Sequence, residues 1–312
     1  MSTNLAPLFV RGIDENIYTV IQGYEAIWKK IFHVHPTKMR YIDHQTWSGY
    51  GLPQARIPGE RIADGSFSPS FSKHYVIRNF GLKDSFPEED IDDDLYGVIN
   101  RVIPAKAGLF ARTFMDLMEY DTANLLANQG FASGTQVAGS PDGRSLFSLS
   151  HPISVSLSTQ TAANRPTVEV DMSVAGAQAA ATAIRLQKAP NNLTIIPNEV
   201  AKVVYNPGLT YIAHQVYKGK WEPNTANRNE NVLNKKNVEL IEWPYWNKSG
   251  AQGTNNAWFV LGRMHHLHFF MRQGVRPKSQ SDINTNSNIL AATCRFDEGW
   301  TDWRGTWGTT GL

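Results

Sequence analysis

The chain has 312 residues, of which 41% are apolar and 19% charged, enough material for a sizeable core and too apolar for a disordered chain. Its 30 basic and 28 acidic residues leave a formal charge of +2, without the basic excess of a dedicated nucleic-acid binder. Cys294 is the only cysteine, so no intrachain disulfide can form and thiolate-built zinc sites are excluded.

The opening MSTNLAPLFVRGIDENI lacks the charged-then-apolar pattern of a secretion signal. No apolar run approaches the ~20 residues that span a bilayer. A chain kept in a reducing cytoplasm, away from membranes, is the expectation.

The first predicted element is a helix over Asn16–Phe32, where Ile17, Val20, Ile21, Tyr24, Ile27, Trp28 and Ile31 recur at spacings of three and four. HVHP at 33–36 ends it, because the residue before proline avoids helical backbone. Residues 46–86 read as an extended hairpin turning at Asp64-Gly65. In its SFSPSFS (66–72), Phe67, Pro69 and Phe71 alternate with serines, and Pro69 confines this ribbon to an edge. An isolated ribbon is marginal in water, so something outside it must hold it.

DSFPEEDIDDDLYGVI (84–99) predicts a short helix with Ser85 and Glu88 at capping-box spacing. After a break near Pro104, a longer helix is expected over 105–128, with Leu109, Phe110, Phe114, Leu117, Met118, Leu125 and Leu126 as its apolar stripe. Residues 131–170 are rich in Gly, Ser, Thr and Pro and read as loops with short strands, one of them through Leu146 and Phe147. A second region follows: a helix over 174–188, a strand at 202–205, and a helix opened by NPG (206–208) and capped by Gly219. Then come an exposed loop over 222–236 and strands near 238–243, 257–261 and 266–273. GWTDWRGTWG near the end reads as strand and turn, its tryptophans as core.

DGRSLFSLSHP (142–152) holds the residue types of a nucleophilic hydrolase: Ser148, Ser150, His151 and an aspartate. In an extended segment Ser150 and His151 point to opposite faces, Ser148 has no helical spacing to His151, and no G-x-S-x-G elbow occurs. A framework turn is therefore expected. Asp90, Asp92 and Asp94 match the first calcium-loop positions, but Leu95 and Arg101 stand where the loop needs glycine and glutamate. In MHHLHFF (264–270), His266 and His268 would share a strand face, with no third zinc ligand nearby in sequence.

Several blocks in order resemble the major capsid proteins of tailed bacteriophages, with the Hong Kong ninety-seven-like shell fold. They are GYGLPQARIPGERIAD (49–64), YVIRNFGL (75–82) running into EEDIDDDLYG (88–97), DGRSLFSLSHP (142–152) and FDEGWTDWRG (296–305). The resemblance implies an α+β fold with an N-terminal arm (1–45) and an extended β-hairpin loop (46–86) lying across a neighbouring subunit. It further implies a peripheral domain (87–164) with a long spine helix, an axial domain (165–270), and a return to the peripheral domain (271–312).

The implied function is a major head protein that self-assembles into hexamers and pentamers, forming an icosahedral shell around double-stranded DNA. It implies no catalysis, no cofactor and no metal. The partners would be copies of the chain, portal and decoration proteins, and non-specific contact with packaged DNA. Residues 1–45 leave no room for a long scaffolding segment, so a separate scaffold protein is expected. Position on the loop nominates Arg56, Glu60, Arg61, Asp64, Phe67, Phe71 and Lys73 as contacts between subunits; Lys73 shows no specific signal for an isopeptide crosslink. Lys29, Lys30, Lys38 and Arg40 on the arm are read as solvated. The rival readings are a soluble hydrolase or metal enzyme using His151 or His265, His266 and His268, and a monomeric binding module with an exposed hairpin.

Overall fold

A computed structural model describes residues 19–65, 67–87, 89, 98–132, 139–223, 229–246, 256–282 and 284–311. Among them the strands are β1 (His33–Pro36), β2 (Tyr41–Trp47), β3 (Pro69–Val76), β4 (Arg78–Pro87), β5 (His151–Pro152), β6 (Thr161–Ala162), β7 (Val200–Tyr205), β8 (Glu239–Glu242), β9 (Trp258–Gly262), β10 (Leu267–Asp282), β11 (Ser287–Trp300) and β12 (Thr306–Thr309). The helices are Trp28–Ile31, Val98–Asn124, Val174–Arg185 and Thr210–Lys218. Two compact units result. One comprises Met1–Tyr41, Val76–Asp121 and Phe269–Glu298, the other Ile42–Tyr75, Thr122–His268 and Gly299–Leu312.

The first unit is organised on a sheet of order β1-β10-β11-β4. β11 and β4 pair antiparallel from Ser287↔Pro87 to Phe296↔Arg78. The turn between β10 and β11 is built by Asp282, which accepts the Asn284 N–H and the Thr285 hydroxyl, and by Asn286, which takes φ 43°. Asparagine tolerates that left-handed conformation better than most residues. Aromatic rings cross the sheet in a continuous stack, Trp28 on Phe269 (4.0 Å), Phe269 on Phe296 (5.1 Å) and Phe296 on Phe80 (4.7 Å). Glu119 of the long helix Val98–Asn124 is fully buried and accepts the backbone N–H groups of Ile27 (2.5 Å) and Trp28 (3.4 Å). It thereby fixes the arm segment that places Trp28.

The second unit is organised on a sheet of order β12-β9-β7-β8, with β7 and β8 parallel and the β7–β9 and β9–β12 pairs antiparallel. Val203, Val204 and Tyr205 are all buried, as is all of β9, so these central strands are covered on both faces. One face joins Val203, Tyr205, Trp258 and Val260 to Ala177, Ala180 and Ile184 of Val174–Arg185 and to Ala213, Val216 and Tyr217 of Thr210–Lys218. On the other, Phe259 meets Phe147 and Trp246, and Phe131 packs on both of those rings. β2 and β3 form a separate two-stranded ribbon.

Several sequence expectations need correction. The first helix divides into helical residues 19–23 and a turn at Trp28–Ile31, because the Glu119 carboxylate takes the backbone donors at the second start. The ribbon has no tight turn at Asp64-Gly65. Its strands stop at Trp47 and resume at Pro69, and between them lie Pro53, Pro58 and the left-handed Gly49 and Gly59, which interrupt a ladder. Ser85 is not a helix cap but sits in β4 opposite Ile289, where long-range pairing outweighs the local signal.

Helix Val98–Asn124 runs through Pro104, whose missing N–H removes one backbone bond without ending it, and continues into a π-helical turn, Leu125–Gln129. On that helix Leu109 is exposed while Met115 is buried. Leu146 and Phe147 are fully buried but form no strand. Gly219 does stand at the C-cap of Thr210–Lys218, with extended and not left-handed backbone; its value is the close approach of the Gln215 carbonyl, which a Cβ would meet at 2.5 Å. The 222–236 segment contains a short 3-10 turn, Val232–Lys235, capped by the buried Asn231 side chain at Leu233 N–H. Asp90, Asp92 and Asp94 lie outside the described residues.

Candidate functional site: an exposed loop and its buried framework

The ribbon is pinned at its open end. Ser48 N–H donates to the Ser68 carbonyl (2.9 Å), the two hydroxyls lie 3.0 Å apart, and the Thr46 hydroxyl donates to the Phe71 carbonyl (3.0 Å). Beyond that pin the chain makes a long loop with little burial. Trp47 stacks on Phe67 (4.9 Å) and Tyr50 on the same ring (5.1 Å), yet all three remain about half exposed or more. Leu52, Ile57 and Ile62 are exposed too, and the loop curls round a hollow of about 490 Å³ lined by residues from Tyr50 to Gly65. Clustered exposed apolar side chains of this kind mark interaction surfaces.

The nominated loop residues divide by depth. Arg56 donates to the Glu60 carbonyl (2.9 Å), and the Glu60 carboxylate accepts the Ile57 N–H (3.1 Å), so this pair shapes the loop tip. Arg61 and Asp64 form an exposed ion pair at 3.2 Å. Phe67 anchors the aromatic cluster. Phe71 is buried, and the Lys73 ammonium lies 5.4 Å from the rings of both Tyr75 and Trp300. On the arm, Lys30 pairs with Glu25 (2.6 Å), Lys29 lies over Trp28 and Arg40 over Tyr41.

His151 is fully buried, and its surroundings answer the question of chemistry. Nδ1 lies 2.6 Å from an Asp142 carboxylate oxygen; Nε2 faces the Leu146 carbonyl at 3.2 Å and Asn164 Oδ1 at 3.1 Å. Both partners of Nε2 are acceptors, so Nε2 carries a hydrogen and donates, while Nδ1 shares a short hydrogen bond with the Asp142 carboxyl. Trp303 stacks flat on it at 4.7 Å. Neither serine reaches the imidazole; the Ser148 hydroxyl accepts the Ser150 N–H instead. Asn164 ties this segment to the end of the chain, donating to the Leu146 carbonyl and the Thr306 hydroxyl while accepting the Ser148 N–H.

His265 and His268 are buried, His266 lies 6.3 Å from His268 ring to ring, and the His44 ring lies tilted against His268 at 4.7 Å. Among the described residues no group of three His, Cys, Asp or Glu side chains is arranged to hold a metal ion, and no helix is long and apolar enough to cross a membrane. Among the described residues, His151 is not set beside a serine hydroxyl, and His265–His268 are not set in a three-ligand group. The Asp142 and Asn164 partners of His151 escaped sequence reading. Asp142 stood in the quoted motif, but nothing in its nine-residue spacing from His151 announces a contact.

No family model matches the chain, and no curated protein is detectably similar to it in sequence. Solved structures are similar in fold over nearly its whole length. A structure from Mycobacterium phage Adephagia matches with a TM-score of 0.53 at 13% identity, over 93% of this chain and 91% of that one. The capsid of Myoviridae phage XM1 matches at 0.51 and 10% identity, over 91% of each chain. A virus-like particle from Pyrococcus furiosus matches at 0.50 and 10%, over 96% of this chain and 98% of that one. The chain has the Hong Kong ninety-seven-like capsid fold.

Within this capsid fold, the DGRSLFSLSHP segment is framework. Phe147 packs against the central sheet through Phe259, and the Asp142–His151–Asn164 network holds the loop to β12. The tryptophans of GWTDWRGTWG serve the same end, with Trp300, Trp303 and Trp307 all buried. Beside them Arg304 and Asp302 make a buried bidentate pair, and the guanidinium also donates to the Lys188 and Ile153 carbonyls.

Proposed function

We propose that this chain is a shell-forming capsid protein whose copies assemble with one another, and that it has no catalytic role. The observation that carries the reading is the whole-chain likeness of fold to the capsid of Myoviridae phage XM1 and to a virus-like particle, with at least 90% of each chain covered in both. The exposed aromatic loop supports it: an apolar surface that one molecule leaves uncovered is what a lattice of copies would cover. Many modest contacts of this kind, each below a permanent dimer's ~2,000 Å², sum through multivalency to a stable shell.

On this reading the arm (1–45) and extended loop (46–86) reach neighbouring subunits, 87–164 and 271–312 form the peripheral domain, and 165–270 form the axial domain at capsomer centres. The capsomers are hexamers and pentamers enclosing double-stranded DNA in a virion, with scaffold, portal and decoration proteins as further partners. Arg56, Glu60, Arg61, Asp64 and Phe67 make the loop's contacts, and Phe71 and Lys73 support its base. Electron microscopy of the purified protein tests the proposal. Capsomers or closed particles are expected, and a monodisperse monomer at high concentration, with or without co-expressed scaffold, would overturn it.

A further inference from the structure

Arg78, at the start of β4, faces three carboxylates. Its Nη2 lies 2.5 Å from Glu298 Oε1 and 2.8 Å from Asp121 Oδ2, and its Nε lies 3.3 Å from Asp297 Oδ1. Asp121 comes from the long helix and Asp297 and Glu298 from β11, so the cluster joins three elements. One guanidinium cannot balance three ionised acids. They are not equally placed: Asp121 buries its Oδ2 but leaves about a quarter of its side chain exposed, Asp297 keeps contact with solvent, and Asp297 also accepts the Val76 N–H at 3.1 Å. The Glu298 side chain is only 3% exposed, and its Oε2 is buried with no hydrogen-bond partner. A desolvated carboxyl with one bare oxygen beside two like charges favours its neutral form.

We infer that Glu298 is a proton-binding site, and that the Arg78 cluster is a pH-dependent clamp on β4, β11 and the long helix, closed with the proton bound and loosened when it leaves. Burial first, and then the charges of Asp121 and Asp297, push the Glu298 carboxyl up to about 8, with Arg78 pulling the other way. The folded value lies above the ordinary 4.5, so the folded chain binds the proton more tightly than the unfolded one. The stabilisation is complete below pH 4.5, declines as pH rises, and is gone above about 8. The clamp lies within one unit of a single chain and is independent of assembly.

Thermal unfolding of the full chain and of Glu298→Gln, from about pH 5 to about pH 9, tests this. The wild-type melting temperature minus that of the variant should fall steadily across the range and level off at its upper end. A difference that stays constant with pH overturns the inference. Infrared spectroscopy of the wild-type chain labelled with 13C-carboxyl glutamate gives a readout that needs no foldable Glu298 variant. One glutamate should ionise near pH 8, and Asp121→Asn should move that transition to lower pH. All glutamates ionised below about pH 6, or a transition unmoved by Asp121→Asn, would overturn it.

Discussion

His151 Nδ1 lies 2.6 Å from Asp142 Oδ2, with the histidine side chain wholly buried and the aspartate nearly so. Removing one partner leaves the other a buried polar group without its short hydrogen bond. Asp142→Ala or His151→Ala should therefore cost at least about 2–3 kcal/mol in denaturant unfolding. Ser148→Ala removes one neutral hydrogen bond and should cost about 1 kcal/mol. Equal losses for the serine and histidine variants would contradict a framework role.

The Glu119 carboxylate holds the backbone of Ile27 and Trp28. Glu119→Ala leaves one buried and one half-buried donor unmet and should cost about 2–3 kcal/mol, with Glu119→Gln recovering part of the loss. Hydrogen exchange should localise the effect, with amides at 27–32 exchanging faster than those of β9.

Gly305 has φ 79°, and a Cβ there would collide with the Met264 carbonyl. Gly305→Ala should lower stability by at least about 2 kcal/mol, from left-handed strain together with a clash against backbone. Gly139, with the same sign of φ (81°) but open space around it, is the matched control. Its alanine variant should cost only the strain, about 1 kcal/mol.

The loop variants separate assembly from folding. Trp47→Ser and Phe67→Ser should change the stability of the unassembled chain by no more than about 1 kcal/mol, because these side chains are half exposed. On the proposed shell-forming reading, particle yield, counted by electron microscopy, should drop sharply. The exposed Arg61–Asp64 pair should matter little to folding, and its double alanine variant should unfold within about 0.5 kcal/mol of wild type.

Much of this architecture was legible where local signals and tertiary packing agree. The apolar spacing around Phe110, Phe114 and Met118 marks a buried helix face, and NPG does open a helix, with the Asn206 side chain accepting the Gly208 N–H. The order of weak blocks, DGRSLFSLSHP above all, pointed to the shell fold that structural similarity bears out. What stayed hidden was long-range. Ser85 looks like a cap until β11 pairs with its strand, and β10 runs on through Gly274 and Pro277, well past the strand expected over 266–273. The Arg78–Glu298 contact joins positions 220 apart, a separation at which no periodicity or motif operates.

The central sheet of the second unit also governs when that unit can fold. β12 pairs with β9, the Glu169 carboxylate accepts the Thr309 hydroxyl and the Thr310 N–H, and Asn164 reaches Thr306. A nascent chain that has emerged only as far as β9 thus lacks an edge of its sheet and the cover for Trp258 supplied by Trp307. Ribosome-arrested chains stopped before residue 306 should remain protease-sensitive through 165–262, and pairings this distant in sequence make for slow closure. Translation itself then delays the moment at which the second unit closes its core.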